Sequence, residues 1–346
     1  MLPASKALQH FDMQPIGMKG SPLLNTLVTG GAGYIGGTVA NLLMESGHHV
    51  VIYDNLSHSQ RSAVPAGSIF LANDVGDRDK LEATLRTHRT EAVLHFAALI
   101  EAGESMQRPE LYFSNNSAST LVLFQAMLAA GVKKLVFSST AAVYGEPETT
   151  PIREDAALHP SNPYGGSKLL VEQMLVWLHR IHGLRYASLR YFNVAGAIPG
   201  RGEAHEPESH LIPLILDVAL GRRKNIRIFG TEYPTPDGTC IRDYIHVRDL
   251  ADAHMLALAA LDRESSMIYN LGNGRGFSVR EVIESVRRVT GHPIPVEECP
   301  PRPGDPAVLV ASSEKIALDL GWQPQYPGLD DIIADAWQWH QIRYRS

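Results

Sequence analysis

The stretch TGGAGYIG, Thr29 to Gly36, joins a short apolar run (NTLV) to a longer segment with helical periodicity (YIGGTVANLLMESG). Its glycines Gly30, Gly33 and Gly36 have the spacing GxxGxxG. A glycine turn between a strand and a helix lets the backbone approach a pyrophosphate, which the helix N-terminus attracts through its amide groups and dipole. The stretch therefore predicts the first strand, turn and helix of a dinucleotide-binding fold.

The alternation of apolar runs and helical periods continues along the chain. After the strand HHVVIYD, further strands are predicted at Ser68–Ala72, Ala92–Phe96, Lys134–Ser139 and Arg185–Arg190. Strands that are apolar throughout are typical of parallel sheets covered by helices on both faces. The predicted fold class is therefore α/β, a doubly wound parallel sheet of the Rossmann type with a smaller α/β substrate-binding lobe.

The lobe is predicted from a change in composition. Beyond about Gly196, Pro and Gly become frequent, as in AIPGRGEAHEPESH and CPPRPGDP. We expect residues 1–22 to be a poorly ordered extension and residues 23–196 to form the dinucleotide-binding domain. Residues 197–346 should form mainly the substrate lobe, with the chain returning to the first domain around 240–265.

Composition excludes several classes of function. A net charge of -6 gives no basic surface for nucleic acid. No apolar run approaches the roughly 20 residues of a membrane span. The two cysteines, Cys240 and Cys299, form neither a disulfide framework nor a zinc pattern. We therefore expect a cytoplasmic protein without a metal, a nucleic-acid partner or a membrane partner.

Two carboxylates are placed to recognise the adenosine half of a dinucleotide. Asp54 ends the strand that follows the glycine turn, where it would accept hydrogen bonds from a ribose diol and repel a 2′-phosphate. The cofactor should thus be NAD rather than NADP. Asp74, after the next strand, is a candidate for the adenine edge, although a simple turn or N-cap role explains it equally well.

A catalytic centre is indicated by SNPYGGSKLLVEQ, where Tyr164 and Lys168 project from one helix face at i and i+4. Lowering a phenol pKa from about 10 to neutrality takes about 4 kcal/mol, which Lys168 and a nicotinamide cation could supply. Gly165 and Gly166 would keep the helix surface low so that ligands reach the phenol. Thr140, at the end of a predicted strand, would bind a substrate oxygen beside Tyr164.

With these motifs in order, the chain resembles the UDP-glucose 4-epimerase family of extended short-chain dehydrogenases/reductases. The segments that carry the resemblance are GGAGYIG, Asp54-Asn55, FAA, SST, Tyr164-xxx-Lys168, YFNVAGA and RDYIHVRDLADAH. The resemblance implies tightly bound NAD, a UDP-sugar substrate and a 4-keto intermediate. Tyr164 would remove the proton of the sugar 4-hydroxyl as hydride leaves C4.

The resemblance also assigns roles residue by residue. The implied catalytic residues are Tyr164, Lys168 and Thr140. Besides Tyr164 and Lys168, the implied cofactor site contains Gly30, Gly33, Tyr34, Ile35, Gly36, Asp54, Asn55, Asp74, Val75, Phe96, Ala97, Ala98, Asn115, Ser138 and Tyr191. The implied substrate site contains Thr140, Tyr164, Asn193, His210, Leu211, Arg242, Arg302, Asp305 and Leu309.

Three positions depart from the family pattern. Ile100 stands where some members place a lysine near the cofactor. Ser209-His210 replaces an asparagine pair, which makes His210 a candidate diphosphate donor or an ordinary solvated loop residue. Leu309, of intermediate size, occupies the position that gates the sugar pocket, so it does not decide between plain and N-acetylated sugars.

The leading hypothesis is reversible 4-epimerisation of UDP-galactose and UDP-glucose by a homodimer paired through Val171, Leu175 and Leu178. The alternative is the same chemistry on a UDP-N-acetylhexosamine, UDP-glucuronate or a UDP-pentose. A 4,6-dehydratase would need an acidic pair where Ala141 and Ala142 stand. A non-catalytic NAD-sensing module would have no need of Tyr164 and Lys168.

Overall fold

The fold is taken from a computed structural model, which describes residues 22–302 and 305–344. The extension predicted for the N-terminus falls almost entirely on residues 1–21, outside the described residues.

The strands are β1 (Asn25–Thr29), β2 (His49–Asp54), β3 (Ile69–Ala72), β4 (Ala92–His95), β5 (Lys134–Ser138), β6 (Arg185–Tyr191), β7 (Asn193–Ala195), β8 (Ala197–Ile198), β9 (Arg201–Gly202), β10 (Ile226–Phe229), β11 (Ile241–His246), β12 (Ser266–Leu271), β13 (Gly276–Ser278), β14 (Val296–Cys299) and β15 (Val308–Leu309). The helices are α1 (Tyr34–Glu45), α2 (Arg78–Thr87), α3 (Ala102–Ser105), α4 (Pro109–Tyr112), α5 (Ser119–Ala130), α6 (Pro163–His182), α7 (Leu211–Ala219), α8 (Val247–Ala260), α9 (Val279–Thr290), α10 (Glu314–Leu320) and α11 (Leu329–Arg343). A π-helical stretch covers Phe113–Ala118 and a 3-10 turn covers Ala141–Val143.

The main sheet has seven strands in the order β12-β6-β5-β4-β1-β2-β3, all paired in parallel. The predicted parallel α/β sheet is therefore confirmed, with strand bounds that differ from the predicted ones by about a residue. From β1 the chain adds β2 and β3 on one side and β4 to β6 on the other. The direction of winding thus reverses between β1 and β4, which is where ligands bind in open α/β sheets.

Helices cover both faces of the sheet because its strands are apolar on both sides. On one face, α1 and α8 pack on the sheet in a core that extends from Leu24 to Trp322. On the other face, α2, α5 and α6 bury Leu81, Leu123 and Leu175 against it. The sheet is therefore the middle layer of three.

The remaining elements build a second core. Apolar residues of α7, α9, α11 and β10 pack together, among them Ile215, Val282 and Ile332. β11 joins this lobe to the sheet region, since its first residues lie between β13 and β15 and its last three residues pair with β7. The domain boundaries given above stay a prediction. Among the described helices, none combines the length and apolar character needed to cross a bilayer.

Candidate active site

The glycine turn is compact, and its geometry requires glycine. Gly30 has a positive φ of 69°, and a Cβ there would lie 2.6 Å from the Ala97 amide nitrogen. A Cβ at Gly36 would clash with the Gly30 carbonyl oxygen, to which the Gly33 amide donates at 3.1 Å. Because β1 and β4 are neighbours, the turn lies against the Phe96–Ala98 segment, and two predicted parts of the cofactor site meet there.

The N-terminal turn of α1 is suited to an anion. Gly33 is the N-cap, no side chain caps the helix, and the first turn carries no acidic residue. Its leading amide groups therefore have no side-chain acceptor and can donate to a pyrophosphate. Arg201, which sequence reasoning missed, packs on this turn with Nη1 3.3 Å from the Gly33 carbonyl, and burial lowers its pKa to about 10.

The acidic residues at the ends of β2 and β3 lie together. Asp54 is buried and accepts hydrogen bonds from the Ala32 amide at 3.0 Å and the Leu56 amide at 2.8 Å, so it fixes the glycine turn to β2. Asp74 accepts from Asn55 Nδ2 at 2.7 Å. The compact turn, the open helix end and these carboxylates fit a dinucleotide.

Aromatic residues from two strand ends flank the same region. The centroid of the His254 ring lies 5.0 Å from that of Phe96 and 6.2 Å from that of Tyr191. Tyr191 also shares a hydrogen bond with the Ser138 hydroxyl. The predicted cofactor residues Phe96, Ser138 and Tyr191 are therefore brought into one neighbourhood.

At the start of α6, Gly165 has a role different from the predicted one. Asn162 caps the helix by accepting the Gly165 amide at 2.9 Å, and Pro163 follows at the first helical position. A Cβ at Gly165 would clash with the Ala142 carbonyl oxygen. The expectation that this glycine keeps space for ligands is therefore wrong, because it lets α6 pack against the 3-10 turn that follows β5.

Three consecutive residues at the end of β5 each contact one turn of α6. The Thr140 side chain interacts with the Tyr164 phenol and lowers its pKa. The Ser138 carbonyl accepts from Lys168 Nζ at 2.9 Å, and Ser139 Oγ donates to Glu172 Oε1 at 2.6 Å. Since these three α6 residues are spaced by four, one helix face is held along three turns.

Burial controls the charges at this face. Burial raises the pKa of Tyr164, the hydrogen bond with Thr140 lowers it, and the Glu101 carboxylate raises it further. Burial lowers the pKa of Lys168 to about 7. The effects on the phenol pKa are those of burial, Thr140 and Glu101, so the lowering expected from Lys168 together with the nicotinamide cation stays a prediction.

Glu172 and Arg190 were not foreseen from the sequence. The Arg190 guanidinium donates to both carboxylate oxygens of Glu172, with Nη2 to Oε2 at 2.6 Å, and both side chains are about 5% exposed or less. Arg190 also donates to the Tyr144 hydroxyl at 2.8 Å. The only indication of this ion pair in the sequence was the position of Glu172, one helical turn beyond Lys168. Its partners lie on other elements and could not be inferred.

The π-helical stretch places an asparagine pair between the cofactor region and α6. Asn116 is buried and binds both the amide and the carbonyl of Leu99, at 2.8 and 2.9 Å, and Ser167 Oγ at 3.1 Å. The predicted residue Asn115 donates to Asn116 at 3.0 Å. Asn116, the second of an adjacent pair, was missed although it ties the segment after β4 to α6.

The predicted diphosphate and ribose residues form a second group. The Arg242 guanidinium is bonded to Asp305, and Arg242 is paired with Leu309 between β11 and β15. Arg302 lies over the Phe229 ring at 4.0 Å. Leu309 packs on a small core that includes Ala141, next to Thr140, so this group reaches the catalytic end of β5.

Two further predicted substrate residues lie on other elements, β7 and the segment before α7. Asn193 is exposed on β7, paired with Tyr244 of β11. His210 precedes α7, which begins at Leu211, and its Nδ1 lies 2.7 Å from Glu208 Oε1. Burial opposes its charge, but the bond to Glu208 and the nearby carboxylates of Glu203 and Glu101 raise the pKa of His210 to about 9. Its imidazole is therefore a cation at neutral pH.

Metal chemistry has no evident centre in the part of the chain that the structure describes. Within residues 22–302 and 305–344, no three His, Cys, Asp or Glu side chains are grouped as metal ligands.

The chain is similar to known proteins over nearly its whole length. Residues 26–272 match the model of the NAD dependent epimerase/dehydratase family. A UDP-glucose 4-epimerase of Streptomyces lividans is 54% identical over 315 residues, which are 91% of this chain and 95% of that protein. One crystal structure of a UDP-glucose 4-epimerase matches with a TM-score of 0.90 at 49% identity, covering 92% of this chain and 98% of the other. The enzyme from Bifidobacterium longum, solved with NAD+ and UDP, matches with a TM-score of 0.88 at 38% identity, covering 93% and 99%.

Proposed function

The chain belongs to the NAD dependent epimerase/dehydratase family, and we propose that it interconverts UDP-galactose and UDP-glucose by reversible epimerisation at C4. One observation carries the assignment of the chemistry to this site. Lys168 is bound to Ser138 and Thr140 contacts Tyr164, so that both residues lie at the carboxyl end of β5, two strands along the sheet from the glycine turn that follows β1.

The cofactor is NAD, which when bound accepts hydride from C4 of the sugar and returns it to either face of the 4-keto form. The glycine turn and the open N-terminus of α1 would hold its pyrophosphate. Asp54 would accept hydrogen bonds from its ribose hydroxyls, since each carboxylate oxygen can accept more than one.

Tyr164 is the proton acceptor for the sugar 4-hydroxyl and returns the proton when the hydroxyl is formed again. Thr140 hydrogen-bonds the phenol and orients it toward the same sugar oxygen. Lys168 keeps its ammonium close to the strand end through Ser138, where a cation favours the phenolate. Because the keto sugar can present either face, the proton site serves both directions of the reaction.

The substrate-binding lobe would hold the UDP end of the substrate. Arg242 and Arg302 supply guanidinium groups suited to a diphosphate, and Asp305 supplies a carboxylate suited to the uridine ribose. Asn193, His210 and Leu211 would line the path between the sugar and this end. The positive charge of the His210 imidazole supports its role as a ligand of the diphosphate.

The same chemistry on another UDP sugar is the second candidate. Leu309 packs beside Ala141 at the position that would gate the sugar pocket. Its intermediate size favours neither plain nor N-acetylated sugars. A UDP-N-acetylhexosamine, UDP-glucuronate or a UDP-pentose therefore stays as the alternative substrate.

The enzyme is proposed to act as a cytoplasmic homodimer. Both cysteines are free thiols, as in a reducing compartment. The helix face predicted for the dimer is wrong in part, because Val171 and Leu175 are fully buried in the chain's own core. The dimer is instead assigned to the outer stripe of α6, where Leu170, Trp177 and Ile181 are 40%, 62% and 69% exposed.

Sedimentation at micromolar concentration tests the dimer. Trp177→Glu should convert a dimer into a monomer, whereas Ile342→Glu, at an exposed position of α11, should leave the mass unchanged. A monomeric wild-type chain would contradict this part of the proposal.

Turnover tests the function. The purified protein, without added NAD, is incubated separately with UDP-galactose, UDP-N-acetylgalactosamine, UDP-glucuronate and UDP-xylose, and 4-epimers are followed by NMR. Tyr164→Phe should lower turnover by a factor of about 10³ while NAD stays bound. Tyr186→Phe, which removes the hydroxyl of another buried tyrosine, is the control. Turnover retained by Tyr164→Phe would disprove the assigned base.

A further inference from the structure

The segment of residues 203–210, here called the substrate loop, connects β9 to α7 and ends at His210. It touches the cofactor domain at Glu101. Ser209 Oγ donates to Glu101 Oε2 at 2.8 Å, and His205 Nε2 lies 3.4 Å from Glu101 Oε1. The ring of His205 also stacks on His58 of the cofactor domain at 5.8 Å.

The substrate loop is held in shape by its own carboxylates. Glu203 Oε1 accepts the amides of Ala204 and His205 at 2.8 and 2.9 Å. Glu208 Oε1 accepts the amides of Ser209 and His210 at 2.9 and 2.8 Å. These bonds fix the shape of the substrate loop, so its contacts with neighbouring elements determine the position of His210.

The tie on the cofactor side is placed next to the catalytic residues. Glu101 precedes α3 and lies a few residues after Ala98 in the segment that follows β4. Its Oε1 atom is shielded from solvent and has no hydrogen-bond partner among the described residues. Its charge acts on both Tyr164 and His210, since it raises the pKa of each. Glu101 therefore stands between the sugar end of the site and the loop.

We propose that Glu101 is a positioning residue that ties the substrate loop to the cofactor domain and so presents His210 to the substrate diphosphate while the sugar meets Tyr164. The proposal rests on the proposed function for the identity of the substrate. A UDP sugar has two ends held by different parts of the chain, and binding both at once requires the lobe and the cofactor domain to keep a fixed separation. Glu101 sets that separation on the side of the loop.

The test is a double-mutant cycle on the NAD-loaded enzyme with Glu101→Ala, Ser209→Ala and the double variant. Each single variant should raise KM for UDP-galactose and Kd for UDP by about five- to ten-fold, as expected for the loss of one solvent-exposed hydrogen bond. The double variant should be no worse than Glu101→Ala alone, because removing Glu101 already removes its contact with Ser209. For Ser209→Ala, kcat should stay within about two-fold.

Glu110→Ala, which removes an exposed carboxylate on α4, is the matched control and should bind UDP as the wild type does. Ser209→Thr keeps the hydroxyl and should restore KM. Unchanged UDP affinity in the single variants, or effects that add in the double variant, would overturn the proposal. UDP calorimetry needs no turnover, so a wild type that binds UDP but epimerises no sugar would refute the proposed function alone.

Discussion

The Ser139 hydroxyl donates to Glu172 Oε1 at 2.6 Å, which ties the strand end that carries Thr140 to the helix that carries Tyr164. The same carboxylate oxygen accepts from Ser188 Oγ at 2.9 Å and from Arg190 Nε at 3.0 Å. A buried carboxylate with three donors is a rigid junction, and it lies one turn beyond Lys168 on the same face of α6.

Removing one member of this ion pair should be strongly destabilising. Glu172→Gln leaves the Arg190 guanidinium buried without its counter-charge, so the free energy of unfolding should fall by about 3–5 kcal/mol. Denaturant unfolding measures it. Glu82→Gln removes the acid of an exposed pair with Arg86 on α2 and should cost less than about 1 kcal/mol. Equal losses in the free energy of unfolding would mean that the buried ion pair stabilises the fold no more than the exposed one.

The adjacent glycines of α6 should respond in opposite directions to alanine. Gly165→Ala forces a methyl group into the Ala142 carbonyl, so it should destabilise the fold by about 1–3 kcal/mol and lower turnover by displacing Tyr164. Gly166→Ala meets only the Phe113 ring at 3.5 Å and should stabilise the helix by up to about 1 kcal/mol. Thermal unfolding and turnover are measured for both variants. A Gly165→Ala variant with the stability and turnover of the wild type would contradict the close approach of α6 to the Ala142 carbonyl.

Lys168 should make stability depend on pH. Its pKa is lowered to about 7 in the folded chain from 10.5, so between these values the unfolded chain holds a proton that the folded chain lacks. Raising the pH then disfavours unfolding, by at most about 1.4 kcal/mol per pH unit. Relative to Lys168→Met, the wild type should therefore gain stability from about pH 7 to pH 10 and show a constant difference below pH 7.

Lys315→Met is the control for that measurement. It removes a lysine that also donates to a backbone carbonyl, that of Ile268, but lies in an exposed setting. Its unfolding curves should keep a constant offset from the wild type over the same pH range. A Lys168→Met offset that is equally constant would show that the ammonium stays charged in the folded chain.

Leu309 should govern the choice of sugar if it gates the pocket. Leu309→Ser removes most of the side chain, so the rate with UDP-N-acetylgalactosamine relative to UDP-galactose should rise by about ten-fold. Leu309→Met conserves volume and should leave the ratio unchanged. Rates for both sugars by NMR provide the measurement, and an unchanged ratio in Leu309→Ser would place the gate elsewhere.

The sheet was predictable because its signals are local. The apolar run before Gly30 and the glycine spacing specify a strand, a turn and a helix within a dozen or so residues of sequence, and the structure has them at those places. Tyr164 and Lys168 were equally visible, because both lie on one helix face.

The rest of the site depends on contacts between distant segments. Nothing near Glu172 in the sequence indicates that Arg190 and Ser139 will surround it, and Glu101 meets Ser209 only after the lobe has packed. The role of Gly165 was misread for the same reason, since its neighbour Ala142 belongs to another element. Local patterns identify which residues have useful chemistry, whereas packing decides which of them act together.

The core shared by Leu24 and Trp322 also bears on the order in which the chain can fold. Trp322 Nε1 donates to the Asp249 carbonyl at 3.0 Å, so the segment after α10 is fastened to α8, which itself covers α1. A nascent chain emerging from the ribosome therefore completes its first strand and helix early but cannot cover that face of the sheet until α8 and Trp322 have been synthesised. During most of translation the growing chain exposes an apolar surface, which makes it a natural client for chaperones that bind nascent polypeptides.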